Sequence, residues 1–318
     1  MQKSLSKGYS GWGQLGIFMG LLLGCVIVGE IVSICIMMMS VHVPLAKLPD
    51  EMLKLQNVNV LLWVQCISTL IIFFLPAFFF AKICYTNSVG FLGFKGKITL
   101  PQLGIVILLV AASLPLIDAL ATVNKMIPLT KHLREQMDAA EKAYNDQVMV
   151  MAQIKNWGQY IVSLFVIAFL PAVFEETFFR GGMQQLLTRW WKSPVLAIII
   201  TSIVFSAIHF SWYGFLSRAA LGAVLGLVFY YGQSIWLNIT LHFLNNAFVV
   251  TSMFVLYKQG KLTGMEDGET FPVWIGIIGL ALVIVLIKWF RRVSPPEPDI
   301  EYPIFDFDNP FQKDEYLA

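Results

Sequence analysis

The sequence predicts an all-α fold, a polytopic membrane helix bundle with about eight transmembrane helices. Two observations carry that expectation. Of the 318 residues, 57% are hydrophobic and only 13% charged, with a mean hydropathy of +0.71. A water-facing domain carries roughly 25% charged residues, so this chain cannot cover itself for water and needs lipid as solvent. Apolar runs approaching or exceeding the ~20 residues that cross a bilayer recur at roughly 15–39, 58–84, 102–122, 158–187, 194–212, 215–232, 235–257 and 271–290.

The first run exceeds the roughly 7–15 apolar residues of a signal peptide and lacks a small-residue cleavage site, so it reads as a retained span. Glycines at 16, 20 and 24, and again at 222 and 226, recur every fourth residue, a spacing that lets helix backbones approach closely. Between the third and fourth runs, Lys131 to Val148 mixes charges with strong helix formers. It predicts an extramembrane helix, either a solvated connector or a surface helix gating access to the membrane core. Residues 1–294 read as one transmembrane domain. The remaining segment, 295–318, holds seven carboxylates against Lys313. It has too little apolar area to offset its ordering entropy and is expected to be a flexible acidic tail, with Tyr302, Phe305, Phe307 and Phe311 available to a partner.

Composition also excludes several classes. The net charge of +2, with no basic block, argues against nucleic acid. Cys25, Cys35, Cys66 and Cys84 form no Cys-x-x-Cys pair, so neither a disulfide framework nor a zinc knuckle is expected. Lys3 and Lys7, Lys82, Lys95 and Lys97, Arg189 and Lys192, and Lys288, Arg291 and Arg292 all fall on one side of the predicted topology. By the positive-inside rule both termini are expected in the cytoplasm, with the chain in the cell membrane if its source is bacterial.

A charged side chain near the bilayer centre costs at least about 2.5–3.5 kcal/mol, so each one needs a reason. Glu30, Asp118, Glu175, Glu176, Arg180, His209 and His242 fall well inside the runs. Glu30 and Asp118 are isolated and suit structural roles. The others are patterned. Consecutive helical residues point about 100° apart, so Glu175 and Glu176 face different ways. Glu176 and Arg180, four apart, share a face and can neutralise one another, which leaves Glu175 free. The fifth run carries Phe205 and His209. The seventh carries His242 and Asn246 one turn apart, with Asn245 a weaker companion.

Depth supports a shared site. Glu175 lies 15 residues before Trp190 and His209 lies 15 after Pro194. Both therefore sit about 22 Å from the shared turn, with His242 and Asn246 about 11 and 17 Å in from the same side. A helix that ended at Gly181-Gly182 would undo this registry. The competing reading is a set of polar residues that only fixes helix packing.

Glu175-Glu176…Arg180, Phe205…His209 and His242…Asn246, in that order on apolar helices, resemble the CPBP family of CAAX-protease and bacteriocin-processing membrane proteases, also called Abi or type II CAAX prenyl endopeptidases. The resemblance covers roughly 155–260, the expected protease core. It implies intramembrane hydrolysis of a peptide bond. Glu175 would act as general base on a water that His209 orients, and His242 and Asn246 would donate to the oxyanion. Glu176, Arg180 and Phe205 would support them. A zinc ion on Glu175, His209 and His242 is the metal version of the same chemistry; a His-Glu-x-x-His zincin is absent. The implied substrate is a prenylated C-terminus or a peptide precursor, met within membrane lipid.

Other readings use the same residues differently. Gly8-Tyr9-Ser10-Gly11 resembles a rhomboid-like serine motif but precedes the first span, far from any histidine-bearing helix. An ion- or proton-coupled transporter would show inverted repeats and paired broken helices, and neither is visible. A non-catalytic scaffold or immunity protein of the same family would keep the fold without the chemistry.

Overall fold

The computed structural model describes residues 6–54, 57–262 and 272–294, and the described chain is helical throughout, with no strand. The acidic tail predicted at 295–318 lies outside the described residues. Nine principal helices follow in order: α1 Gly11–Val41, α2 Val58–Cys84, α3 Leu100–Lys125, α4 Lys131–Met151, α5 Trp157–Trp191, α6 Pro194–Ala207, α7 Phe215–Gly232, α8 Ile235–Lys258 and α9 Val273–Val293. All but α4 and α6 are long and apolar enough to cross a membrane, which makes seven candidate spans among the described residues.

The expected fifth run, 194–212, needs correction. Its helix, α6, has 14 residues and ends at Ala207, about 21 Å of rise. His209 and Phe210 donate backbone bonds only three residues back, to Ser206 and Ala207, and Phe210 takes a left-handed φ of 50°. The apolar composition runs on past the point where the backbone turns. His209 therefore lies on the turn after α6.

Local chemistry explains the helix boundaries. Ser10 caps α1 by accepting from the Gly13 N–H at 3.1 Å, so its hydroxyl serves the helix end, the ordinary use of serine there. Thr99 and Gln102 form a reciprocal capping box at the start of α3. Gln102 also donates to the Ser294 hydroxyl at 3.1 Å, tying that end to the end of α9.

Wide π turns interrupt α2 at Leu70–Phe74 and α5 at Leu164–Phe169, just before Pro76 and Pro171. Proline has no N–H to donate, and its ring crowds the carbonyl four residues back. A wider preceding turn relieves that conflict and lets both helices continue. A third π turn, Thr177–Gln184, includes Gly181 and Gly182. The helix thus passes through the glycine pair, as the depth registry requires.

Two apolar cores hold the bundle. One joins α3, α7, α8 and α9 through Leu109, Leu225, Leu241 and Phe290. The other joins α1, α2, α5 and α6 through Phe18, Phe80, Phe179 and Phe205. The fourfold glycine spacing has different outcomes in two places. A Cβ at Gly222 would lie 3.0 Å from the Cβ of Ser202, and one at Gly226 would lie 2.8 Å from Ile198 Cγ2, so α7 packs closely on α6 there. At Gly16, Gly20 and Gly24 an added Cβ would meet nothing within 4 Å. The close packing expected along that stripe is absent among the described residues, because periodicity defines a face without supplying its neighbour.

The extramembrane helix appears as α4, with none of its residues buried. Ser211 donates to Glu141 at 3.1 Å, and the Tyr213 hydroxyl donates to Asp138. The second bond, made in the acceptor's anionic field, holds the Tyr213 phenol above its ordinary pKa. Helix α4 thus lies against the turn that carries His209.

Candidate active site

The site assembles on α5, between the second and third π turns. Glu175 is 8% exposed, and Glu176 and Arg180 are 0% exposed. Glu176 Oε1 accepts from Arg180 Nη1 at 2.8 Å, the neutralising pair expected from the four-residue spacing. The same oxygen meets His242 Nδ1 of α8, also at 2.8 Å. Its second oxygen accepts from the Asn238 amide at 3.3 Å. Glu176 is therefore a hub joining two helices rather than half of an isolated pair.

Glu175 faces the other side of the His242 ring, with Oε2 3.9 Å from Nε2. The adjacent glutamates divide one imidazole between them. With Nδ1 donating to the Glu176 carboxylate, Nε2 is the nitrogen turned toward Glu175.

Helix α7 supplies backbone rather than side chains. Its Gly222 carbonyl accepts from Arg180 Nη2 at 3.1 Å, its Leu225 carbonyl from Asn238 at 2.7 Å, and its Gly226 carbonyl from Gln184 at 3.0 Å. The missing side chains at 222 and 226 let α6 and the Gln184 amide come close. Arg180 Nε and Asn238 Oδ1 are buried with no hydrogen-bond partner among the described residues.

Phe205 of α6 sits at the centre of the ring contacts. Arg180 lies 4.7 Å over its face, a cation–π contact in a dry setting. The rings of His209 and His242 approach it at 5.1 and 5.9 Å. His209 Nδ1 is 2.8 Å from the Phe205 carbonyl oxygen. A carbonyl can only accept, so Nδ1 carries the proton, and the neutral ring presents Nε2 as an acceptor. His209 reaches the cluster through Phe205.

Asn246 stands apart. It accepts from Asn245 at 3.5 Å, and both side chains are partly exposed on α8. Glu30 lies on the exposed face of α1.

One buried contributor escaped the motif reading. Asn238, 0% exposed, lies four residues before His242 and therefore on the same face of α8. An asparagine one turn from a candidate histidine, inside an apolar run, was the available signal.

The zinc set tested on this geometry is Glu175, His209 and His242. Among the described residues no three His, Cys, Asp or Glu side chains are arranged to hold a metal ion. Both histidines commit Nδ1, one to Glu176 and one to a backbone carbonyl, which leaves Nε2 of each as the nitrogen open to an ion. As they stand, the three do not fit a shared ion.

These features define a polytopic membrane protein with a dry carboxylate–histidine–arginine cluster held between helices. Residues 157–248 match the family described as Type II CAAX prenyl endopeptidase Rce1-like, which supports the resemblance to the CAAX-protease (CPBP) family. The family is one of membrane proteases, consistent with seven candidate spans. No curated protein and no solved structure matches the chain.

Proposed function

We propose that this protein is an intramembrane endopeptidase in which Glu175 is the general base. The observation that supports this reading is the placement of His242 between two carboxylates, one bound to Nδ1 at 2.8 Å and the other 3.9 Å from Nε2. A purely packing role would not require the second, unbonded carboxylate.

In the proposed reaction Glu175 removes a proton from a water whose other hydrogen is accepted by Nε2 of His209. The nascent hydroxide adds to the scissile carbonyl. His242 Nε2 donates to the oxyanion that forms, and the Asn246 amide, one turn further along α8 and outside the bonded cluster, turns in to donate beside it. Since His242 Nδ1 already donates to Glu176, donation from Nε2 requires the imidazolium. Its positive charge, with that of Arg180, balances Glu175 and Glu176. The tetrahedral intermediate expels the amine, which takes its proton from Glu175. A positioned base is worth roughly 10²–10⁴-fold, and a donor aimed at an oxyanion in a dry site roughly 10²–10³-fold.

The substrate in this reading is a membrane-embedded peptide, either a prenylated C-terminus or a peptide precursor, and the termini face the cytoplasm. The test uses the purified chain in detergent with two probes, a prenylated C-terminal peptide and an unmodified precursor peptide. Glu175→Gln, His209→Ala and His242→Ala should each lose cleavage while remaining folded. Wild-type cleavage by all three would overturn the peptidase reading of this site, and no cleavage of either probe by wild type would favour a non-catalytic scaffold or immunity role. An ion flux in liposomes abolished by the same substitutions would favour a transporter.

A further inference from the structure

Asn238 is buried where an apolar side chain would pack without an unsatisfied atom. Its amide nitrogen donates to the Leu225 carbonyl at 2.7 Å and to Glu176 Oε2 at 3.3 Å, and it is 0% exposed. Both partners can only accept. The amide orientation is therefore set, because the flipped group would place its oxygen against two acceptors. Its own Oδ1 then has no partner among the described residues. A buried polar atom left unmade is a cost that packing alone gives no reason to carry.

The nitrogen's two bonds explain the choice. A carboxylate turns about its last side-chain torsion in a broad, soft well. Arg180 and His242 both engage Oε1 of Glu176, so neither stops the group from turning about that atom. Asn238 holds the other oxygen, and it is itself anchored to the backbone of α7. Three points then define the carboxylate plane. With the plane fixed, the bond to His242 Nδ1 fixes the imidazole, and with it the direction of Nε2 toward Glu175.

We infer that Asn238 is a positioning residue, clamping the Glu176 carboxylate to the backbone of α7 so that His242 is held in its working orientation. The inference rests on the peptidase reading above, in which His242 Nε2 faces the reaction.

The experiment compares kcat and KM for Asn238→Ser, Asn238→Ala and Asn238→Asp in the full-length chain, with the peptide that wild type cleaves. Thermal unfolding verifies that each variant is folded. Ser113→Ala is the control, since Ser113 is also buried, has a hydroxyl without a partner among the described residues, and lies on α3, which carries none of the site residues. Asn238→Ala should lower kcat by roughly 10–100-fold, the scale of lost outer-shell support, with KM within about twofold. Asn238→Ser, which can keep one donor, should fall less. Asn238→Asp, nearly the same size but placing a second carboxylate against Glu176, should fall most. Ser113→Ala should match wild type.

Ranking by side-chain volume, with the aspartate variant most active, would overturn the inference, as would a change confined to KM. Wild-type kcat in all three variants alongside a dead Glu175→Gln would sink this inference alone. Wild-type cleavage by Glu175→Gln would sink the peptidase reading beneath it.

Discussion

Glu176 and His242, 66 residues apart, meet through Oε1 and Nδ1 at 2.8 Å, and the same oxygen also takes Arg180 at 2.8 Å. Burial makes that shared oxygen consequential. Arg180→Met leaves a fully buried carboxylate with only His242 and Asn238 as partners and should cost about 3–5 kcal/mol. The double variant Arg180→Met with Glu176→Gln removes both charges and should recover much of that stability, yet none of the activity. Thermal unfolding in detergent and peptide cleavage, measured side by side, test both halves.

Gly222 should resist enlargement. A Cβ there would fall 3.0 Å from Ser202 Cβ and 3.1 Å from its Cα, and overpacking of this kind costs roughly 1–3 kcal/mol. Gly222→Val should therefore melt earlier than wild type and lose activity as the carbonyl moves from Arg180. Gly16→Ala, where nothing among the described residues lies within 4 Å, should change neither measurement.

The turn carrying His209 depends on Asn124 of α3. Its amide donates to the Trp212 carbonyl at 2.8 Å, and its oxygen accepts from the Leu216 N–H at 3.1 Å, with the residue fully buried. Asn124→Ala leaves the Leu216 N–H without its partner, a loss of about 1–3 kcal/mol if it stays dry, while the Trp212 carbonyl keeps only its bond from the Phe215 N–H at 2.9 Å. Hydrogen exchange should quicken at Leu216, and turnover should fall without a matching rise in KM. Unchanged exchange at that amide would contradict the clamp.

Metal removal gives a separate expectation. Among the described residues Glu175, His209 and His242 are not gathered to hold one ion. Dialysis against a strong chelator should leave cleavage within about twofold, whereas loss of a bound catalytic ion would remove its whole contribution. Loss of activity that zinc restores, with stoichiometric zinc in elemental analysis, would show that the side chains rearrange around an ion.

The site's covalent neighbours were legible in the sequence, and its spatial ones less so. Glu176 with Arg180 could be read because four residues return a helix to the same face. Registry put Glu175 level with His209 because helical rise is nearly constant, and matched His242 more loosely, although it is His242 Nε2 that lies 3.9 Å from Glu175. Spacing could not show that Phe205 touches Arg180 and both histidines, since ring contacts depend on how α5, α6 and α8 lean together. Hydropathy also missed the end of α6, because Ile208 to Phe210 keep an apolar character on either side of the histidine while the backbone turns. Gly16, Gly20 and Gly24 share the spacing of Gly222 and Gly226 without their close contacts. Asn238 was hidden by its surroundings: one polar letter among apolar ones looks incidental until its two acceptors are seen.

The three carbonyls that α7 offers to Arg180, Asn238 and Gln184 bear on how this protein can vary. A main-chain oxygen is present whatever letter the gene spells at that position. Leu225 can change to any residue that fits its core without altering what Asn238 binds. Substitutions from Gly222 to Gly226 should therefore be filtered by volume, most stringently at the two glycines, and hardly at all by polarity matched to the site. In a saturation library selected for cleavage, α7 should tolerate swaps among apolar residues of similar size, while α5 and α8 should reject chemical substitutions at Glu175, Glu176, Arg180 and His242.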